Sequence, residues 1–392
     1  MSRAFTESHA TAPGHGLRVA LGLALAPLVA LGFSRFAYAL LLPAMRQEFA
    51  WTYVQAGALN TANAIGYIVG ALLASTLAAR WGPVRAFTTA MALSALALIL
   101  TALPSSFAVF LAIRALGGAS TAIAFVLGAA LVSHAMPGRP ATALAIYFAG
   151  SGLGIVLAGL LAPLLAGATG DVDWRQGWLA MGAASLLGTA LAHRVATAPA
   201  TTGQAGLAAS LGPTWRGLGP SLVANMLFGA GYVGYMTYMV AFLDMQGFTL
   251  AVKAAFFGIL GGASIVVSPL WGHLLSRLPV GRGFAWVAAA VALGSLPALV
   301  WPSVAAIVAS ALLFGSSFMA GPAAVSVVAQ RVLPAAHLTF GLALLTASFS
   351  VGQSLGPVIA GWLSDATGSL SAGLWLGPVL LLVGATVSLR QR

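Results

Sequence analysis

Apolar runs long enough to cross a bilayer recur from one end of this chain to the other, with little polar sequence between them. A spanning helix needs roughly 20 apolar residues. Runs broken by Pro, Gly or charge predict twelve helices, at 18–45, 53–79, 84–103, 105–134, 140–168, 174–195, 217–244, 250–276, 283–301, 303–332, 336–365 and 371–389. Composition agrees. Of the 392 residues 60% are hydrophobic and only 6% are charged, where an ordinary soluble domain carries about 25% charged residues. So few charges cannot coat a water-facing surface of this size. A soluble fold, a disordered chain and, with no Cys, a disulfide scaffold are excluded. The apolar run after Arg18 is too long for a cleaved signal sequence and reads as a retained first span.

The net charge of +11 suggests nucleic acid at first sight, but the basic residues form no run and lie between spans. Their placement is topological. With the N-terminus inside, Arg3, Arg18, Arg80, Arg85, Arg139, Arg194, Arg216, Arg277, Arg282, Arg331, Arg390 and Arg392 fall on cytoplasmic segments, 12 of the 17 basic residues. Arg46, Arg175 and Lys253 fall outside, and Arg35 and Arg114 fall inside spans. Glu48, Asp171, Asp173, Asp244 and Asp365 lie outside or at that edge, leaving only Glu7 inside. Lys and Arg counts set orientation, so both termini are expected in the cytoplasm of a multi-pass inner-membrane protein. The longest connection divides the chain into a cytoplasmic tail (1–17), a six-helix half (18–195), a cytoplasmic loop (196–216) and a second six-helix half (217–392).

The halves resemble each other. Gly150-Ser-Gly-Leu-Gly154 in the fifth span matches Gly352-Gln-Ser-Leu-Gly356 in the eleventh at an offset of 202. Arg80, Arg85 and Phe87 match Arg277, Arg282 and Phe284 at an offset of 197. A parallel repeat of six spans marks transporters built from two halves around a midplane site. The expected fold is therefore an all-α membrane protein with two pseudo-symmetric six-helix halves.

Twelve spans, a long central loop and this duplication resemble the major facilitator superfamily. Its motif between the second and third spans appears as Leu77-Ala-Ala-Arg80-Trp-Gly82-Pro-Val-Arg85, with Ala79 in place of the usual Asp and Ser276 at that place in the second copy. That weakens the charge relay the resemblance would imply for the gating residues Arg80, Gly82, Arg85, Arg277 and Arg282. The fourth-span motif appears as Arg114-Ala-Leu-Gly117-Gly118, with Gly for Gln. The resemblance associates Arg114 with proton coupling. The stretch Gly32-Phe-Ser-Arg35-Phe-Ala-Tyr38 through Pro43 and the glycine-rich eleventh span look most like the YbfB/YjiJ-type bacterial carriers.

Arg35 and Arg114 are the most informative residues. A charge in hydrocarbon costs about 2.5–3.5 kcal/mol on insertion scales and must face a partner or a wet cavity. The bland alternatives are a snorkelling Arg35, with the outer end about 12 Å away, and an Arg114 bonded to neighbouring carbonyls. No Asp or Glu lies mid-span, so an anionic substrate is expected to answer these charges, because the Arg fork binds both carboxylate oxygens. Tyr38 falls in the Arg35 segment. On the seventh span Phe228, Tyr232, Tyr235, Tyr238 and Phe242 share a face; Tyr232 and Tyr235 are candidate pocket walls, and packing accounts for Phe242. Asn60, Asn63 and Tyr67 share a face of the second span, and Gln353 matches Ser151. Gly57, Gly66, Gly70, Gly117 and Gly118 are read as sites of close helix contact. His134, His193, His273 and His337 are read as interface residues.

No catalytic residue, metal spacing, cofactor loop or nucleic-acid patch is expected. The predicted function is secondary active transport of a small organic anion, by proton-linked transport or exchange, in a monomer that meets only its solute and the lipid. The rivals are an exporter of neutral or lipophilic compounds and, in another class, a membrane receptor or scaffold, which the minimal loops disfavour.

Overall fold

The computed structural model describes residues 15–136, 139–166, 172–196, 217–334 and 337–391. Most of the N-terminal tail and central loop lie outside them, with Arg3, Glu7, Asp171, Arg216 and Arg392. The helices are α1 (His15–Phe49), α2 (Tyr53–Trp81), α3 (Pro83–Thr101), α4 (Phe107–Ser133), α5 (Pro140–Leu164), α6 (Trp174–Val195), α7 (Gly219–Met245), α8 (Leu250–Ile265 continued by Val267–Arg277), α9 (Arg282–Val300), α10 (Val304–Val332), α11 (Leu338–Thr367) and α12 (Leu370–Ser388). Ten of them are long and apolar enough to cross a membrane, and the bent α8 makes an eleventh. The twelfth is α6, whose 22 residues carry Arg175 and Gln176 in the first turn and His193 and Arg194 in the last, shortening its apolar stretch. With no water in the bilayer core, helices that satisfy their own backbone are the economical way to span it.

Local chemistry sets the helix ends. Thr52 Oγ1 accepts from the Gln55 N–H at 3.2 Å while Gln55 Oε1 accepts from the Thr52 N–H at 2.9 Å, a reciprocal cap that starts α2. Asp173 accepts from the Gln176 N–H at 3.0 Å to start α6. Pro83 and Pro140 open α3 and α5, where a missing N–H costs nothing. The first helix runs on to Phe49 rather than residue 45, and the fifth stops at Leu164 rather than 168. The eighth and tenth spans, expected as continuous, are interrupted after Ile265 and Phe318. Each break stands four residues before a proline, Pro269 or Pro322, which has no N–H to return to that carbonyl.

The internal repeat is realised in packing. A Cβ on Gly150 would lie 2.0 Å from the Ala24 carbonyl oxygen, and one on Gly154 2.5 Å from that of Leu28. On the other half, Gly352 meets the Met226 carbonyl at 1.8 Å and Gly356 the Ala230 carbonyl at 2.2 Å. All four pairs of equivalents differ by 202 in number. Thus α5 rides on α1 as α11 rides on α7, backbone against backbone, with a small residue every turn. Within the first half, Gly66, Gly70 and Gly118 do the same between α2 and α4, whereas Gly117 has no neighbour nearer than 3.5 Å. The repeat is not exact: besides the breaks in α8 and α10, α1 widens into a π-helix from Leu28 to Phe36, while α7 stays α-helical. Such widenings frequently sit at functional sites.

The halves meet along α2–α11, α5–α8 and α1–α7. A methyl at Gly66 has to displace the Ala115 carbonyl, 1.9 Å away. Gly66→Ala is therefore expected to destabilise the protein by about 1–3 kcal/mol, read as a lowered Tm in detergent. Gly117→Ala, with room for its Cβ, is expected to leave Tm nearly unchanged.

Candidate substrate site

Both intramembrane arginines gather at the widened turn of α1. Ser34 and Arg35 are consecutive there, and Arg114 reaches in from α4. Arg35 is 7% exposed and Arg114 3%. The Arg114 guanidinium donates from Nη1 to the Ser34 carbonyl at 2.7 Å and from Nη2 to Asn60 Oδ1 at 3.4 Å. It lies over the Tyr38 ring at 4.9 Å and the Trp178 ring at 5.5 Å, a favourable placement for a desolvated cation. The Tyr38 hydroxyl donates to the Ala56 carbonyl at 2.8 Å, and Asn63 Nδ2 donates to the Arg114 carbonyl at 3.3 Å. Of the guanidinium nitrogens of Arg114, Nε is buried without an acceptor among the described residues. Arg114, Tyr38, Asn60 and Asn63 thus form one bonded cluster inside the first half.

Arg35 faces the other half. Its Nη2 donates to Gln353 Oε1 on α11, and its guanidinium lies 5.8 Å from the centre of the Tyr67 ring. A guanidinium carries five N–H donors, so this single bond leaves most of them unused by the described residues. The widened turn also explains how consecutive residues serve both clusters, with the Ser34 carbonyl turned to α4 and the Arg35 side chain to α11. Each arginine lies within electrostatic reach of the other. Among the described residues the two ion pairs, Arg175–Glu48 and Lys253–Asp244, involve neither. Two like charges therefore share the middle of the bundle without a carboxylate.

The remaining candidates divide. Tyr232 is buried and stacks on Phe349, with ring centres 5.8 Å apart. Tyr235 is committed to the second half, its hydroxyl 2.8 Å from Ser310 Oγ and its ring 4.8 Å from that of Phe314. Ser151 is buried on α5, at the repeat equivalent of Gln353. Phe242 is buried as well.

Cross-half bonds that sequence reasoning did not identify close one end of the bundle. Asn60 Nδ2 donates to Thr237 Oγ1 on α7 at 2.7 Å, and Thr61 Oγ1 donates to the Ser354 carbonyl on α11. Beyond them, Asp365 at the end of α11 accepts the Tyr53 N–H at 2.9 Å and the Val54 N–H at 2.8 Å, the first N–H groups of α2. A carboxylate there satisfies two orphan donors and meets the positive end of the helix dipole. The Tyr238 hydroxyl lies 2.6 Å from the Tyr53 carbonyl and 2.8 Å from the Pro357 carbonyl, with one proton for both. Arg46 covers the Tyr53 ring at 3.8 Å. Gly57 and Gly361 permit this contact, since a Cβ on either would lie 2.5–2.6 Å from the Tyr238 hydroxyl. In the sequence Asp365 reads only as an edge charge and Tyr238 only as one member of a stripe, because their partners are about 120 to 310 residues away in number.

At the other end, where α1 begins and α12 finishes, Arg80, Gly82 and Arg85 lie at the α2–α3 turn. Gly82 has φ +83°, which favours glycine. In the second copy Gly281 takes φ +79° between Arg277 and Arg282. Arg331 from α10 donates there to the Ser276 carbonyl at 2.7 Å and to the Leu278 carbonyl. A cation on the last carbonyls of α8 suits the negative end of that helix. The sequence places Arg331 only as one of the cytoplasmic charges.

The Asp365 latch predicts a measurable gate. Asp365→Asn removes the charge that holds α2 and leaves an amide facing N–H groups. With hydrogen bonds to a charged group contributing about 1.5–3 kcal/mol, opening of this end is expected to rise on the order of tenfold or more. The chain has no Cys, so alkylation of Ala56→Cys, a position that is fully buried behind the latch, reports it cleanly. An unchanged alkylation rate would show that Asp365 does not hold the gate.

The family model described as "Uncharacterised MFS-type transporter YbfB" matches residues 27–389. No curated protein matches the sequence. Among solved structures, the chain is similar to a bacterial homologue of the human lysosomal transporter Spinster in an inward-facing and occupied conformation, with a TM-score of 0.76 at 16% identity over 96% of this chain and 97% of that one. It is also similar to the nucleoside transporter NupG (0.72, 14%, 96% and 97%) and to a D-xylose-proton symporter (0.71, 17%, 96% and 96%). At such identities the likeness establishes the fold, the twelve-helix arrangement of two halves. The chain is accordingly a multi-pass membrane transporter for a small solute and not an enzyme, and it belongs to the YbfB-type family of the major facilitator superfamily.

Proposed function

We propose that this carrier moves a small organic anion, a carboxylate, across the cytoplasmic membrane by alternating access. One observation carries the reading: Arg35 and Arg114 stand within electrostatic reach of each other at mid-bundle, and no acid among the described residues pairs with either. An uncompensated buried charge is costly, and a bound carboxylate supplies the missing countercharge. Arg35 is the contacting group, since it holds unused donors and a single neutral partner, Gln353, on the opposite half. Arg114 is a positioning residue. It fixes the Ser34 carbonyl and adds positive potential without direct contact. Asn60, Asn63 and Tyr38 support Arg114, and Gln353, Tyr67 and Tyr232 surround Arg35.

The excess of basic residues toward one side supports both termini, the tail and the central loop in the cytoplasm. In that orientation the Asp365 end faces outward, and the described conformation is closed outside. The halves then rock about the central site, and a substrate on Arg35 competes with the Gln353 amide that ties the halves together there. Exchange of one anion for another needs no proton carrier in the protein, and proton-linked uptake would use the carboxylate's own proton. A single chain holds both halves and serves as the working unit.

Counterflow in proteoliposomes tests the reading. Labelled carboxylates are expected to exchange in the wild type, and Arg35→Ala is expected to cut exchange by roughly tenfold to a hundredfold, the loss of one charge-assisted pair, with no loss of thermal stability. Arg114→Ala is expected to lower both exchange and Tm, because it strips the Ser34 carbonyl and Asn60 of their donor. Export of dyes without any carboxylate exchange would instead favour a carrier of neutral or lipophilic solutes.

A further inference from the structure

Which polar groups around Arg35 remain unused narrows the anion further, on the premise that the carboxylate reading above holds. Asn63 is bonded to the Arg114 carbonyl, Asn60 to Thr237 and Arg114, Asn225 to the Leu345 carbonyl at 2.8 Å, Thr237 to the Val233 carbonyl at 2.6 Å, and Ser310 to Tyr235. These five side chains, which could otherwise recognise a polyhydroxylated solute, are thus already engaged within the protein. Arg114 is held by a carbonyl, an amide and two aromatic faces, so it offers no second anion seat. What stays unused beside Arg35 is the rest of its fork, the Gln353 amide N–H groups and two hydroxyls, Tyr67 and Tyr232, none of which donates to any described residue. These two and Arg35 lie within electrostatic reach of one another.

The surroundings of this polar group are aromatic. Gln353, the partner of Arg35, stands one helical turn after Phe349 on α11, so the two share a face. Phe349 is only partly buried and stacks on Tyr232 with rings 18° from parallel. Phe318 packs 5.9 Å from Tyr232 and, across the halves, 5.7 Å from Phe36. On the first half Tyr67 is partly buried and 6.4 Å from Phe125. A flat apolar body suits such walls, because ring–ring contact is favourable in offset or edge-on geometry. Site economy gives the same answer from the polar side. Small-molecule sites generally fix orientation with few polar groups and take the remaining binding energy from apolar surface.

We infer that the substrate is an aromatic monocarboxylate. Its carboxylate sits on Arg35 between the halves, its ring lies against Phe349 and Tyr232, and the hydroxyls of Tyr67 and Tyr232 are available to a polar ring substituent. Proteoliposomes loaded with benzoate test this by competition against labelled benzoate with 4-hydroxybenzoate, lactate, succinate and xylose. Benzoate and 4-hydroxybenzoate are expected to compete at concentrations at least tenfold below lactate and succinate, and xylose not to compete. Phe349→Leu is expected to narrow the gap between benzoate and lactate severalfold with unchanged reconstitution yield. Tyr232→Phe, which keeps the ring, is expected to lower the preference for 4-hydroxybenzoate over benzoate.

If labelled lactate or succinate exchanges as well as benzoate and Phe349→Leu changes nothing, the aromatic assignment is overturned while the anion reading stands. If no carboxylate exchanges and a neutral solute does, the anion reading itself fails and the assignment with it.

Discussion

Close backbone contact between helices is the condition on which the rest of this bundle depends. In lipid there is no hydrophobic gain in bringing one apolar helix to another, so association relies on packing and on polar contacts at short range. Small residues supply the short range. Gly150 and Gly154 seat α5 on α1, and Gly352 and Gly356 seat α11 on α7 in the same register. With those pairs seated, α1 and α7 meet each other, and Arg35, Thr237 and Tyr238 on them bond across the halves. The same closeness lets an isolated hydroxyl such as Thr61 reach a carbonyl across the halves. Larger residues at these positions would separate the helices and leave those polar groups without partners.

Against that regular scaffold, the charges are distributed by cost. At the closed end, where water reaches, carboxylates are present and paired: Glu48 with Arg175, Asp244 with Lys253, and Asp365 with the N-terminus of α2. In the middle, the charged groups among the described residues are both cations. Arg114 is accommodated by a carbonyl, an amide and aromatic faces, which is what a low-dielectric interior requires of a charge that stays. Arg35 is tied by one bond to the opposite half and keeps donors that no described residue accepts. The π-helical turn joins the two, since its Ser34 carbonyl meets Arg114 and its Arg35 side chain meets Gln353.

The site was legible in part. Arg35, Arg114 and Gln353 stand out in the sequence because polar residues inside long apolar runs are expensive, and that expense needs no knowledge of neighbours. Asn60, Asn63 and Tyr67 share a face by spacing alone, yet spacing did not separate them, and in the fold two brace Arg114 while the third faces Arg35. Tyr235 shares a stripe with Tyr232, but Ser310 from α10 takes its hydroxyl. Asp365, Tyr238 and Arg331 could not be recognised, because an acid at a helix end, a tyrosine in a stripe and a basic residue near a turn are each ordinary in isolation.

By itself the sequence determined the membrane setting, the number of spans, the duplication and the presence of two buried cations. Each of these follows from local composition and periodicity, which one chain read in order contains. The tertiary structure decided which cation is braced and which is available, where α1 widens, how α8 and α10 break, and which end is closed. Those depend on contacts between residues on different helices, where a side chain's role is set by what lies across the gap.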